Sequence, residues 1–265
     1  MHTRRFVFAT LALLLAGPAR AEKAPSAREI MDKVTVTRKL DGSEAVIKMT
    51  VVGENGQARE REISMATKLY DGGKTEKRIY RFLSPADVQG TGILVYDYET
   101  KPDDVWIYLP ALRKTRRVVS TQRAQSFMGS EFSYGDLNIP SLDDFDYTLV
   151  KEEASGGEPC YVIDLVPKSK EIAEAEGYSK KTYWVSKAKM AVVRGLYYDK
   201  DGKLLKELIA QDLKLLDPKN KRYRAMHMEM TNKQNGRKSI FDSKKVVFSP
   251  NAKDDYFTTA YLERS

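Results

Sequence analysis

The chain has few residues from which a catalytic or metal centre could be built. Its 265 residues include one cysteine, Cys160, and two histidines, His2 and His227. A single cysteine excludes an internal disulfide framework and a multi-thiolate zinc or iron–sulfur site. The usual motifs of serine hydrolases, zinc proteases, phosphate loops and dinucleotide folds are absent from the sequence. We therefore predict no metal, no cofactor and no catalytic residue, and a hydrolase acting on envelope lipids is only a minor alternative.

Long apolar runs are also missing. The longest, Phe6 to Ala16, is shorter than the roughly 20 residues that a membrane-spanning helix needs. It follows Arg4 and Arg5 and precedes a small-x-small sequence that ends at Ala21, which is the pattern of a cleavable secretory signal. No cysteine follows that cleavage site, so no lipid anchor is expected. We predict removal of residues 1–21 and a periplasmic location, with export by the general or the twin-arginine route left open.

The net charge by itself says little about partners. The net charge of +8 falls to +5 when the three arginines of the signal are removed. This excess is modest, and a secreted protein does not meet nucleic acid in its own compartment, so no nucleic-acid partner is predicted. A hydrophobic fraction of 42% is enough for a substantial core.

Turn signals divide most of the chain into strands. Ser26 and Glu29 form a capping box that predicts a short helix through about Val34. Pairs such as Asn55-Gly56 and Asp201-Gly202 then recur between runs of strand length, as in antiparallel hairpins. The eleven predicted strands cover residues 45–52, 59–70, 74–83, 93–98, 105–109, 161–166, 181–185, 191–198, 204–216, 224–232 and 239–248. Residues 168–176 form a polar, helix-prone insert.

The alternation within these strands predicts a curled sheet. Residues 224–231 place methionines on one face and polar side chains on the other, whereas residues 105–109 and 161–166 are apolar on both faces. Strands too numerous for a flat sheet curl into a barrel that can hold a ligand or a helix. We predict a mainly β, open antiparallel barrel as a single domain over residues 22–265. Two sandwich domains are the alternative.

One long connection and several large side chains are candidates for ligand binding. The connection from Ser120 to Pro140 is longer than compact domains usually contain. The apolar residues of this connection either pack it onto the core or form a lid over an apolar ligand or against a membrane, and both interpretations stay open. Methionines and tryptophans on the strands could likewise be simple core or the wall of an adaptable cavity. The candidate cavity and lid residues are Trp106, Tyr108, Leu109, Phe127, Met128, Phe132, Tyr134, Trp184, Met226, Met228 and Met230.

The densest basic run is a candidate contact for a membrane or a partner. Because successive strand residues point to opposite faces, the run of Arg113, Lys114, Arg116 and Arg117 places charge on both faces, which indicates an edge strand. A solvated edge that discourages aggregation is one interpretation. The other is contact with an anionic head group or an acidic partner. His227 is predicted on the polar face of its strand, at the surface.

Three stretches of sequence resemble a known bacterial family. Residues 81–92, 103–117 and 126–137 contain Arg-Phe-Leu-Ser-Pro, Asp-Asp-Val-Trp-Ile-Tyr-Leu-Pro-Ala-Leu-Arg-Lys and Ser-Phe-Met-Gly-Ser-Glu-Phe-Ser-Tyr-Gly-Asp-Leu. They are similar to the outer membrane lipoprotein-sorting proteins, relatives of the LolA carrier. The resemblance implies an unclosed barrel with helices plugging its mouth around a hydrophobic cavity. It also implies an association with inner-membrane exporters of the resistance-nodulation-division type.

Residues and resemblance together suggest two functions. The first is a non-enzymatic periplasmic carrier that shields a lipid or an acylated lipoprotein between inner-membrane machinery and the outer membrane, with transient membrane contact. The alternative is an accessory subunit that docks on the exporter through the basic run and carries nothing.

Overall fold

A computed structural model describes residues 24–118, 123–138 and 141–264 of the chain. The predicted signal peptide, residues 1–21, lies outside these ranges. The described residues form thirteen strands and four α-helices. The strands are β1 Gly42–Val52, β2 Ala58–Tyr70, β3 Thr75–Ser84, β4 Gly92–Tyr98, β5 Asp104–Leu109, β6 Lys114–Val118, β7 Phe145–Ser155, β8 Glu158–Pro167, β9 Lys180–Ser186, β10 Ala191–Tyr198, β11 Leu204–Asp217, β12 Arg222–Asn232 and β13 Lys238–Phe248. The helices are α1 Ala27–Arg38, α2 Tyr134–Leu137, α3 Lys170–Glu176 and α4 Thr259–Leu262.

All thirteen strands belong to one antiparallel sheet. Their order is β6-β5-β4-β3-β2-β1-β13-β12-β11-β10-β9-β8-β7, so β1 and β13 pair and join the two halves of the chain. β6 and β7 lie at the two edges, and the sheet therefore forms an open barrel, which confirms the predicted fold class. There are thirteen strands instead of eleven because β6 and β7 were not among the predicted strand runs, although the basic run of β6 was expected at an edge. β6 is too highly charged to show an apolar alternation, whereas β7 was missed although Phe145, Tyr147 and Leu149 alternate with polar residues.

Helix α1 begins where the sequence predicts. The Ser26 side chain accepts from the Glu29 amide, and the Glu29 carboxylate accepts from the Ser26 amide at 2.7 Å. The helix runs to Arg38, one turn beyond the predicted end. It buries Ala27, Ile30, Met31 and Val34 against a cluster that includes Phe145, Ile163 and Val185. Because α1 contacts β7, β10 and β12, which are not neighbours in the sheet, it lies inside the curl of the barrel.

The outer face of β2 to β5 is covered by the end of the chain. Phe257 and Leu262 pack against Leu94 and Tyr108. A Cβ atom on Gly92 would come within 2.6 Å of the Leu262 side chain, so glycine at this position permits the close approach. The sheet thus has a second apolar layer on the outside as well as a filled interior.

Candidate functional site

The connection between β6 and β7 returns into the barrel. We call residues 123–138 the plug. The Phe127 amide donates to the Phe132 carbonyl at 2.7 Å, and a tight turn at Met128 and Gly129, both with positive φ, joins the two arms. Ser133 and Asp136 then form a capping box at the start of α2. The plug is therefore a compact hairpin followed by one helical turn, a shape that its own serine and glycine residues define.

The apolar side chains of the plug pack on the inner face of the sheet. Phe127 and Phe132 are each 2% exposed. The Phe132 ring stacks on Phe241 with centroids 4.5 Å apart, and the Phe127 ring meets Tyr80 edge to face at 5.6 Å. Around them lie inner-face residues from eight strands. The predicted candidates that meet in this cluster are Leu109, Phe127, Met128, Phe132, Tyr134, Met228 and Met230.

Three predicted cavity residues lie on the opposite face. Trp106 and Tyr108 alternate with inward Ile107 and pack against the C-terminal segment on the outside of the barrel. Trp184 also points outward, where the Arg194 guanidinium covers its ring at 4.5 Å. The prediction that these three rings line the cavity was wrong. Both faces of β5, β8 and β9 are covered by other residues, so the hydrophobicity of a side chain does not show which face it lies on. Met226 is buried, and in β12 it shares the face of Met228 and Met230.

Cationic side chains of the barrel hold the main chain of the plug. Five of them donate hydrogen bonds to its carbonyl oxygens. The pairs are Arg61 with Met128, Arg237 with Gly129 (3.4 Å), Lys206 with Glu131 (2.6 Å), Arg78 with Leu137 (2.6 Å), and Arg38 with Leu137 (2.8 Å) and Asn138 (3.2 Å). In each of these bonds a carbonyl oxygen of the plug takes the place of water around a charged donor. None of the bonds belongs to a β-ladder. Within the described residues, the plug is thus held to the barrel by side-chain hydrogen bonds and not by strand pairing with the sheet.

A buried polar network lies beneath the end of the plug. Arg78, 5% exposed, pairs with Asp97 at 2.8 Å and donates to the Asn138 side chain. The Asn138 amide in turn donates to Asp103 at 2.7 Å. Burial, together with the nearby charge of Asp97, raises the pKa of Asp103 to about 6. No sequence pattern singled out Arg78, although a charged residue that alternates with Tyr80 and Phe82 on an apolar face is a signal of such a network.

A second buried network ties the start of the plug to α3. Glu176 accepts from Lys181 at 2.6 Å, and its other oxygen lies 3.2 Å from Arg123 at the first residue of the plug. Burial alone would raise the pKa of Glu176, but Lys181 and Arg123 hold that pKa below its usual value. Tyr178 adds a 2.9 Å hydrogen bond to Asp136 of α2. The polar insert predicted at residues 168–176 therefore helps to position the plug.

Cavities open to solvent lie beside the plugged interior. One of about 380 Å³ lies on the outer face between β13, β1 to β3 and the C-terminal segment, lined by residues such as Arg81, Val247 and Tyr256. Another of about 170 Å³ lies between α1 and the ends of β3 and β4, lined by polar residues such as Arg28 and Glu76. The described inner face is itself filled by α1 and the plug.

The basic run lies where the sequence predicts an edge. Arg113 is in the turn before β6, and β6 pairs only with β5 among the strands described. Arg113, Lys114, Arg116 and Arg117 are all exposed, and Arg117 pairs with Asp104. Leu112, beside them, is 67% exposed. Contact with a partner or a head group stays a prediction.

Other classes of site receive no support from the part of the chain that is described. Its residues contain no cluster of three or more histidine, cysteine or acidic side chains that could hold a metal ion. Cys160 is a buried free thiol. His227 is one-third exposed and pairs with Asp242 at 2.7 Å on the outer face. Within the same residues, no helix is both long and apolar enough to cross a bilayer.

Comparisons with other proteins agree with this architecture. A domain from Vibrio parahaemolyticus, assigned by name to outer membrane lipoprotein sorting, is 28% identical with a TM-score of 0.81, covering 90% of this chain and 98% of its own. A DUF1329 family protein from Desulfovibrio piger is also 28% identical with a TM-score of 0.81, covering 89% and 97%. A LolA superfamily protein from Nitrosomonas europaea shares the fold at 20% identity, with a TM-score of 0.65 and coverages of 90% and 100%.

Sequence comparison adds a family match. No curated protein matches the chain. A family model with the description "Uncharacterized protein" matches residues 74–264 and so includes β3 to α4, the plug and α3. The chain therefore belongs to the family of that model, and it is similar in fold to solved lipoprotein-sorting, DUF1329 and LolA superfamily proteins.

Proposed function

We propose that the protein is a non-enzymatic periplasmic carrier that holds the acyl chains of a lipid or a lipid-modified protein on its inner face. The supporting observation is the way the plug is built. Its aromatic rings fill an apolar surface to which several strands contribute, while side-chain hydrogen bonds alone fasten its main chain. Such a segment can leave without breaking the sheet. An acyl chain would then replace Phe127 and Phe132 against Phe241 and Met230.

A carrier is needed because acyl chains cross water slowly. Exposing a chain of about sixteen carbons costs on the order of 12 kcal/mol, at about 0.8 kcal/mol per methylene. The plug covers the apolar inner face whenever no cargo is bound. Neither uptake nor release of the cargo therefore exposes that face to water, which lowers the barrier to both steps. The flexible thioethers of Met228 and Met230 suit chains of different shape.

Native mass spectrometry tests this proposal on protein secreted to the periplasm and purified without detergent. We expect a fraction of molecules to carry amphiphiles that organic extraction then identifies. Met228→Trp narrows the inner face and should lower that fraction. Val247→Trp, on the wall of the outer cavity, should not. Empty wild-type protein contradicts the proposal, and loss of lipid only in Val247→Trp assigns the lipid to the outer cavity instead.

The exposed edge supports a second candidate function. Three cations of β6 and the neighbouring Leu112 form a surface that an acidic partner, such as a periplasmic part of a resistance-nodulation-division exporter, could contact. An accessory subunit of this kind would lose its partner when Lys114, Arg116 and Arg117 are replaced by alanine, and its isolated form would carry no lipid. A carrier keeps its lipid in the same variant.

A further inference from the structure

An arginine that forms no ion pair within the described residues extends the methionine row of β12. Met226, Met228 and Met230 face inward, and by the regular register of β12 with β11 Arg224 occupies the next position on that face, opposite Lys214. The Arg224 side chain is half-buried. No carboxylate or carbonyl within the described ranges forms an ion pair or a hydrogen bond with it. A guanidinium in this position, beside an apolar surface, lacks the acceptors that such groups normally have.

Three other arginines and the carboxylate of Glu76 act on Arg224. Burial, with repulsion from Arg38, Arg78 and Arg222, lowers the pKa of Arg224 to about 10, and Glu76 opposes this only in part. Arg78 is balanced by Asp97 at 2.8 Å, and Arg222 is balanced by Asp41 at 2.7 Å. Arg38 contacts only carbonyl oxygens of the plug. Glu76 lies 3.7 Å from Arg78 and attracts Arg224 through space, but within the described residues neither Arg38 nor Arg224 forms an ion pair with a carboxylate.

We infer that the inner face binds the anionic head group of its cargo between Arg38 and Arg224. This inference rests on the proposed carrier function. When the plug withdraws, Arg38 and Arg78 lose the carbonyl oxygens of Leu137 and Asn138. A phosphate or carboxylate is a stronger acceptor for guanidinium than a carbonyl is, so it would replace these oxygens and also supply the partner that Arg224 lacks. The acyl chain of the same molecule would then run along Met226, Met228 and Met230.

The cargo class that follows is an amphiphile with a negative head group. Phosphate esters and free carboxylates share the required chemistry, whereas a zwitterionic or neutral head group would leave positive charge uncompensated in a half-buried site. The plug covers the apolar inner face and accepts hydrogen bonds from the arginines. An anionic amphiphile can take over both roles, since its tail covers the apolar face and its head group accepts the hydrogen bonds. A neutral amphiphile can do only the first.

Binding measurements with matched dodecyl amphiphiles test the inference. The probes are dodecyl phosphate, dodecanoate and dodecylphosphocholine, each below its micelle concentration, and dodecanol below its solubility limit, titrated into the full protein by calorimetry. We expect the wild type to bind the two anionic probes at least tenfold more tightly than the zwitterionic and neutral ones. Comparing dodecyl phosphate with dodecanoate shows whether the site prefers phosphate or carboxylate.

Variants of Arg224 test whether this residue causes the preference for anionic probes. Arg224→Gln should reduce it to less than threefold, Arg224→Lys should keep part of it, and Lys200→Gln should keep all of it, since Lys200 is exposed in the turn after β10. Circular dichroism melts establish that each variant is folded. Two results would overturn the head-group site and leave the carrier proposal intact. One is equal binding of all four probes by the wild type, and the other is a preference for anionic probes that persists in Arg224→Gln. Binding of no probe contradicts the carrier proposal itself.

Discussion

Replacing Phe132 with alanine is expected to accelerate hydrogen exchange in the plug by roughly 10²- to 4 × 10³-fold. The side chain is 2% exposed and stacks on Phe241, and removing a buried phenylalanine costs about 3–5 kcal/mol. If the plug opens as a separate unit, this cost lowers the free energy of plug opening instead of the stability of the barrel. The Glu131 amide, which donates to Ser239 of β13, reports on separation of the plug from the barrel. The amides of Phe127 and Tyr134, which donate to carbonyl oxygens within the plug, report on the loss of its hairpin once it is exposed to solvent.

The same experiment contains its control. The amides of β8 and β9, on the other side of the barrel, should exchange as in the wild type, and Leu112→Ala, a substitution at a 67% exposed residue, should change neither group. Equal acceleration of the plug and of β8 and β9 would mean that they open together. The plug would then be part of the core and not a lid.

Replacing Glu176 with alanine is expected to lower the free energy of unfolding by about 3–5 kcal/mol. The substitution leaves Lys181 buried without a carboxylate partner, and breaking one side of a buried ion pair costs this much. For a domain of this size the loss corresponds to roughly 6–20 °C in the melting temperature. Arg123 loses its partner as well, so exchange in the plug should also become faster.

Glu174→Ala is the matched control for that substitution. Glu174 lies in the same helix but is exposed, and its replacement should change the stability by no more than about 0.5 kcal/mol. If Glu176→Ala lowers the free energy of unfolding no more than Glu174→Ala does, the contacts of Glu176 with Lys181 and Arg123 do not hold the plug in place. Thermal melts by circular dichroism measure both variants.

Periodicity and turn chemistry predicted the architecture because they act locally. The capping box of α1, the hairpin turns and the inward methionines of β12 all follow from residues close together in sequence. The basic run also identified an edge strand, since charge on both faces cannot be buried. The resemblance to the lipoprotein-sorting family added the open barrel and the plugged mouth.

The composition of the site could not be predicted in the same way. Trp106 and Tyr108 were assigned to the cavity, but Phe257 and Leu262, about 150 residues later, cover them on the outside. No local pattern reveals which face of a strand a distant segment will cover. Arg78 and Arg224 were missed because a charged residue within an apolar alternation reads as an interruption. In the folded barrel these two residues belong to the group that carries the function we propose.

The most direct test of an opening interior is hydrogen exchange with and without saturating dodecyl phosphate. We expect the amides of Phe127, Glu131 and Tyr134 to lose protection when the ligand binds, while the amides of α1, β8 and β9 keep theirs. Unchanged or increased protection of the plug in the bound protein would show that the amphiphile binds without entering the barrel, and that result would contradict the carrier.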